Sequence, residues 1–331
     1  METRVETAPD GADHALLQSL RSHEHATLGI RETFLTPEIG GAPTVAVLAE
    51  PLGAASELAW LVCHSQGLEQ RYIEPLEVEI ARTLAARGFR VLRFHCQGYG
   101  DSATTDPSTS LASHLRDTTQ AVDLLRELGG AKLGFVGGRF GGAVAALMAE
   151  RCAADALVLW DPVVTGKGYL RNLLRQDAIA ALTQQSFLDG WSYGKWDGQR
   201  RGAGDRAEQL ESSRGADLDG LTLSGPAVDE LVRLDLTQDL HAFDGAALVV
   251  QVSRATTIRP ELRKLEEHLT SIGATCTLET AAPAAGEAAL GSPRYVARGD
   301  DPDGRLKRDL QAQLSQRLIG LTADWVERVQ C

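Results

Sequence analysis

The sequence predicts an α/β protein: a mostly parallel sheet with crossover helices and a helical cap inserted after the sixth core strand. Three observations carry that reading. Apolar runs of strand length alternate with helical patterns from Thr44 onward, as parallel sheets with crossover helices require. One of these runs, KLGFV, leads through Gly137-Gly138-Arg139-Phe140-Gly141 straight into a helical pattern. Between residues 165 and 243 the alternation stops, and it resumes at AALVVQVS, which marks an insertion.

Taken in order, residues 1–25 are polar with a short helical pattern at Leu16, Leu17 and Leu20, and residues 1–43 form an extension and a first-strand region. TVAVLAEP alternates as a half-buried strand, and LAWLVC is a continuous apolar run suited to a strand covered on both faces. A helix is expected at about 74–87, closed by Gly88. FRVLRFHCQGYGDS reads as strand, tight turn and loop, and Leu111, Leu115, Val122, Leu125 and Leu128 give a helix over 111–128. Gly129-Gly130 ends that helix. KLGFVGG then runs into RFGGAVAALMAER, whose small residues suit a tightly packed helix, and ALVLWDPV is the sixth core strand. The stretch 165–243, with WSYGKW and QRRGAGDR, is assigned to the cap, and the core resumes over 244–331. That second part reads as AALVVQVS, a helix at 260–271, the strand TCTLET and a final helix over 304–329 with one apolar stripe from Leu306 to Val329. Residues 44–164 form the first part of the core.

Composition narrows the partners. With 45 acidic against 33 basic residues, the net charge of -12 disfavours nucleic acid and anionic membrane surfaces. No stretch approaches the length of a membrane span. The N-terminus has no basic region followed by an apolar one, so no secretory signal is read there. Cys63, Cys96, Cys152, Cys276 and Cys331 are scattered without C-x-x-C spacing. They suggest neither a disulfide framework nor a zinc site, and free thiols in a reducing cytoplasm are expected. No cofactor or metal is expected, and the oligomeric state is left open.

In doubly wound sheets, ligands sit beyond the carboxyl ends of the strands. At those ends the chain resembles the α/β-hydrolase superfamily over roughly residues 44–329. GGRFG has the G-x-nucleophile-x-G layout of a nucleophile elbow. FHCQGYGDS is similar to the D-x-R-G-x-G-x-S turn after the fourth strand, and CHSQG to the H-G loop that supplies part of the oxyanion hole. Within the superfamily, GGRFGGAVAAL, LWDPVVTGKGYLRNLLR and DLDGLTLSGPAVDEL are similar to the exosortase A system-associated hydrolase 2 group. The resemblance implies a Ser-His-Asp triad, and here the sequence departs from it. Arg139 stands in the serine's place, and an arginine neither loses its proton nor acts as a nucleophile. No acid follows at once on the seventh strand, where Ser253-Arg254-Ala255-Thr256-Thr257 stands, and no histidine lies beyond His268. Asp161, after the sixth strand, is the one carboxylate of the right kind.

Arg139 therefore has two compatible roles: an ion pair with Asp161, and an anion subsite supported by the N-terminal N–H groups of the helix that follows. His64 and His95 follow the third and fourth strands and join Arg139 as candidate catalytic residues. Ser65, Gln66, Phe140, Asp161 and Trp191 are candidate ligand-binding residues around it. Cys63 and Cys96 are read first as packing, with a thiolate nucleophile as the alternative.

The expected function is that of an atypical, non-hydrolytic α/β-hydrolase-fold protein. It would bind an anionic or acyl-bearing small molecule or peptide, with proton transfer, isomerisation or cyclisation as the chemistry if there is any. Two rivals stay open: an ester or thioester hydrolase or acyltransferase rebuilt on Cys or Ser with His, and a non-catalytic scaffolding partner.

Overall fold

The computed structural model describes residues 21–104, 109–175, 216–218, 221–253, 255, 257–281 and 305–330. The chain begins with an antiparallel hairpin of β1 (Ser22–His25) and β2 (Ile30–Leu35), followed by a two-residue pairing of β3 (Glu38–Ile39) with β4 (Ala42–Pro43). Then come β5 (Ala46–Pro51), β6 (Leu58–Cys63), α1 (Gly67–Ala86), β7 (Arg90–Phe94), α2 (Leu111–Glu127), β8 (Lys132–Gly138), α3 (Arg139–Arg151) and β9 (Ala156–Trp160). Residues 166–175 are helical. After them come β10 (Ala216–Leu218), β11 (Leu221–Leu223), α4 (Gly225–Arg233), α5 (Leu236–Asp239), β12 (Ala246–Val252), α6 (Pro260–Ser271), β13 (Thr275–Ala281) and α7 (Arg305–Gln330).

Nine strands form one sheet in the order β1-β2-β5-β7-β6-β8-β9-β12-β13. Along this order the pairings from β7 to β13 are parallel, whereas β1–β2, β2–β5 and β5–β7 are antiparallel. If β2 is taken as the first core strand, β8 is the fifth and β9 the sixth, as the sequence led one to expect.

Strand periodicity divides the core in two. Ala59, Leu61 and Cys63 of β6 face one layer, which holds Leu115 and Val122 of α2, Val144 of α3 and Leu265 of α6. Leu58, Trp60 and Val62 face the other, with Ile73, Leu76 and Ile80 of α1 and Leu318, Ala323 and Trp325 of α7. Every residue of β6 is buried, so LAWLVC shows no polar alternation even though its side chains alternate. Trp160 Nε1 donates to Thr322 Oγ1 at 3.0 Å, fixing α7 to the sheet.

The structure departs from the sequence reading in two places. Helix α1 starts at Gly67, several residues ahead of the expected start, and continues through Pro75. A proline normally signals a first turn, but here the packing of Ile73 and Leu76 outweighs that signal. The described part of 165–243 holds, besides its helical pieces, an antiparallel pairing of β10 with β11.

The sheet's first edge is tied down by one carboxylate. Glu32 of β2 is 3% exposed. It accepts hydrogen bonds from Arg82 of α1 at 2.7 and 3.1 Å and pairs with His25 at 2.8 Å and Arg93 of β7 at 3.5 Å. Burial would raise its pKa, but bonds from Arg82 and His25 hold it below the ordinary value.

Candidate functional site

The turn between β8 and α3 places one side chain at the carboxyl edge of the sheet. Arg139 has a φ of 51°, in the left-handed region that a non-glycine residue enters only at a cost of about 1–3 kcal/mol. Close packing dictates the glycines on either side. A Cβ on Gly137 would lie 2.2 Å from the Gly141 carbonyl oxygen, and one on Gly141 would lie 2.2 Å from that of Cys63. Asp161, just past β9, has a φ of 48°. The two strained residues face each other across parallel neighbours, β8 and β9.

The guanidinium of Arg139 is clamped. Nε donates to Glu69 Oε1 at 3.1 Å, and Nη1 donates to the Asp161 carbonyl at 3.0 Å and to Asp161 Oδ2 at 3.3 Å. The second Glu69 oxygen accepts from the Tyr169 hydroxyl at 3.1 Å and from Ser65 Oγ at 3.3 Å. Gln66 Nε2 reaches the same hydroxyl at 3.4 Å. Asp161 Oδ1 pairs with Arg259 Nη2, and Arg259 Nη1 pairs with Glu261 Oε1 at 3.3 Å. Glu69 is 2%, Asp161 3% and Arg139 9% exposed. Burial alone would lower the Arg139 pKa, but Glu69 holds it above its ordinary value. Nη2 of Arg139 has no partner among the described residues.

A strained turn from strand to helix at the fifth core strand invites comparison with known structures. Est1E from Butyrivibrio proteoclasticus, solved with ferulic acid, superposes with a TM-score of 0.52 at 17% identity, covering 86% of this chain and 99% of that one. Carboxyl esterase 2 from the fungus Tuber melanosporum gives 0.51 at 14% identity, covering 93% and 88%. The esterase domain of a Rhodothermus marinus protein gives 0.50 at 15% identity, covering 88% and 98%. This is an α/β-hydrolase fold. No family model matches the chain, and no curated protein matches it significantly. At such identities the likeness carries the α/β-hydrolase architecture and nothing about substrate.

Within that fold, the residues singled out from sequence separate into two groups. Arg139, Asp161, Ser65 and Gln66 belong to one hydrogen-bonded network with Glu69 and Tyr169. Ser65 donates its amide to Gln70 Oε1 at 2.7 Å. Phe140 is fully buried, stacked on Tyr169 with ring centroids 6.1 Å apart and edge-on to His114 at 5.0 Å.

His64 and His95 belong elsewhere. His64 donates Nδ1–H to the Ser65 carbonyl at 2.9 Å and accepts the Cys96 amide at Nε2, also at 2.9 Å. Neither nitrogen remains for Arg139, and burial lowers its pKa to about 3. His95 Nδ1 accepts the Asp101 amide at 3.0 Å. Cys63 and Cys96 are buried, and burial pushes both thiols up. His268 is engaged with the Leu240 carbonyl at 2.9 Å. Trp191 lies outside the described residues.

Sequence reasoning missed three members of the network. Glu69 was legible in principle, as an acid in the first turn of the helix after the CHSQG loop. Tyr169 fell in the expected cap, and Arg259 precedes Pro260 at the start of α6, just beyond the Ser253–Thr257 stretch where an acid was sought.

Proposed function

We propose that this chain is a non-hydrolytic protein on an α/β-hydrolase scaffold, with the Ser-His-Asp triad dismantled and its elbow used to bind an anionic or acyl-bearing small molecule or peptide. The observation that carries the reading is Arg139 at the elbow, held by Glu69 and Asp161 where a nucleophile would otherwise project. Two carboxylates orient the guanidinium through Nε and Nη1, and the Nη2 donors have no partner among the described residues. The N-terminus of α3 adds peptide N–H groups at the same place. Two arginines, Arg139 and Arg259, face three carboxylates, Glu69, Asp161 and Glu261, so recognition rests on directed hydrogen bonds more than on net charge.

The rival reading, an esterase rebuilt on Cys63, Cys96 or Ser65, draws little support from those positions. Burial pushes the Cys63 and Cys96 thiols up, and the Ser65 hydroxyl donates to the Glu69 carboxylate, which Arg139 and Tyr169 already engage. The chemistry branch of the leading hypothesis also loses its base, since both His64 nitrogens are engaged.

Two assays test the reading. Activated short-chain esters should be turned over barely above background, with no specific serine labelled by a fluorophosphonate. A product burst or a single labelled serine would sink the proposal. Acidic ligands that raise the melting temperature should bind Arg139→Ala roughly one to two orders of magnitude more weakly, because a charge-assisted bond contributes about 1.5–3 kcal/mol. Lysine at 139 should restore only part of the loss, lacking the planar fork. Equal affinity in wild type and Arg139→Ala by calorimetry would remove the subsite.

A further inference from the structure

Behind the elbow lies a second cluster that the ion network does not use. One ring nitrogen each of His64 and His114 and the Cys96 Sγ lie within 4.8 Å of one another. The three side chains come from different elements: the loop after β6, the loop after β7, and α2. All are buried: His64 is 3%, Cys96 1% and His114 1% exposed.

Hydrogen bonding fixes which nitrogens face inward. His64 Nδ1 lies 2.9 Å from the Ser65 carbonyl and His114 Nδ1 lies 2.9 Å from the Ser110 carbonyl. A carbonyl oxygen only accepts, so both Nδ1 atoms carry the proton and both Nε2 atoms carry a lone pair. This is how a metal-binding histidine is commonly held, with the outer nitrogen bonded to a backbone carbonyl. His114 Nε2 is buried with no hydrogen-bond partner, and a buried acceptor left in that state needs a reason. His64 Nε2 has the Cys96 amide as its partner and would have to release it.

We infer that His64, Cys96 and His114 form a binding site for a soft monovalent d10 cation, copper(I), held by three donors: two imidazole nitrogens and one thiolate sulfur. A triangle whose edges are at most 4.8 Å has a centre at most about 2.8 Å from each corner. Metal–imidazole and metal–thiolate bonds run about 2.0–2.3 Å, so closure asks each donor to move by no more than roughly 0.8 Å. Thiolate and imidazole are ligands suited to copper(I). Charge decides between cations: copper(I) with one thiolate is neutral, whereas zinc(II) would leave one positive charge buried beside Phe94, Tyr99 and Phe140, where the nearby carboxylate, Asp117, is already paired with Arg116. On binding, the Cu–S bond forms, the S–H bond breaks, and one proton passes to solvent with no change of oxidation state.

The test uses the full chain, metal-stripped and reduced, titrated anaerobically with copper(I) against bicinchoninate, and separately with zinc(II). Wild type should take up one equivalent of copper(I), release one proton at neutral pH, and give an X-ray absorption spectrum of two nitrogens and one sulfur. Cys96→Ser and His114→Gln should each weaken binding by more than roughly 100-fold, since even residues that only orient a ligand are worth about 10–100-fold. Cys152→Ser should leave it unchanged. Failure of wild type to compete for copper(I), retention of affinity in Cys96→Ser, or zinc(II) bound as tightly would each overturn the assignment. Should the buried variants fail to fold, the wild-type proton count and sulfur coordination decide it alone.

Discussion

Arg139 is the residue around which the buried ion network is built. The tight turn from β8 into α3 brings its guanidinium onto Glu69 and Asp161, both almost fully buried. Removing one partner of a buried pair strands the other, at about 3–5 kcal/mol. Arg139→Ala should therefore lower unfolding free energy in that range, and Glu69→Gln added to it should recover part of the loss. A double-mutant cycle by denaturant titration reads the coupling, and strictly additive effects would show that the pair is not coupled. The Arg139–Asp161 pairing was legible because their strands are neighbours in the expected topology. Glu69 could be placed in the first turn after the CHSQG loop, but its pairing with Arg139 could not be read, because the two lie 70 residues apart in the chain and line up only after β7, α2 and β8 have packed.

At the scale of elements, strands were the most legible part of the sequence. β6, β8, β9 and β12 fall where the apolar runs lie, because a strand covered on both faces is largely apolar, and β5 falls where TVAVLAEP read as a half-buried strand, although its first four residues are all buried. Helix α1 was misplaced at its start for the opposite reason. GLEQRY carries no apolar stripe, and its first turn is specified by Glu69 reaching the elbow. Helix α7 offers a direct measure of how elements are joined. Thr322→Val keeps the shape but leaves Trp160 Nε1 buried without an acceptor, so it should cost about 1–3 kcal/mol. A loss below a few tenths, measured by chemical denaturation, would mean the indole finds another partner.

For the whole molecule, buried ionisable groups set the pH dependence, and they pull in opposite directions. Burial raises the Glu77 pKa from 4.5 to about 7. Between those values the folded chain holds a proton that the unfolded chain has released, so this carboxyl makes stability fall as pH rises from about 4.5 to 7. His64 does the reverse: burial lowers it from 6.5 to about 3, so the unfolded chain binds the extra proton and stability falls as pH drops below 6.5. Glu77→Gln should therefore steepen the net rise in stability between about pH 5 and 7 relative to wild type. Unchanged slopes in urea titrations at those two values would show that Glu77 ionises normally.

The Glu32 cluster bears on how copies of the chain meet. The β1–β2 hairpin covers the edge of β5, and one carboxylate bonded to Arg82 and His25 and beside Arg93 holds it there. With its pKa below the ordinary value of 4.5, Glu32 keeps that hold down through the ordinary carboxylate range and loses it on further acidification. The Arg82 and Arg93 guanidinium groups would then repel each other around a neutral acid, and the hairpin would loosen. Each molecule would then present an unpaired row of backbone donors and acceptors, open to strand-by-strand addition of others. Acid would in this way act on colloidal behaviour before it acts on the core: turbidity that grows with protein concentration while the buried tryptophans Trp60 and Trp160 still report a folded interior.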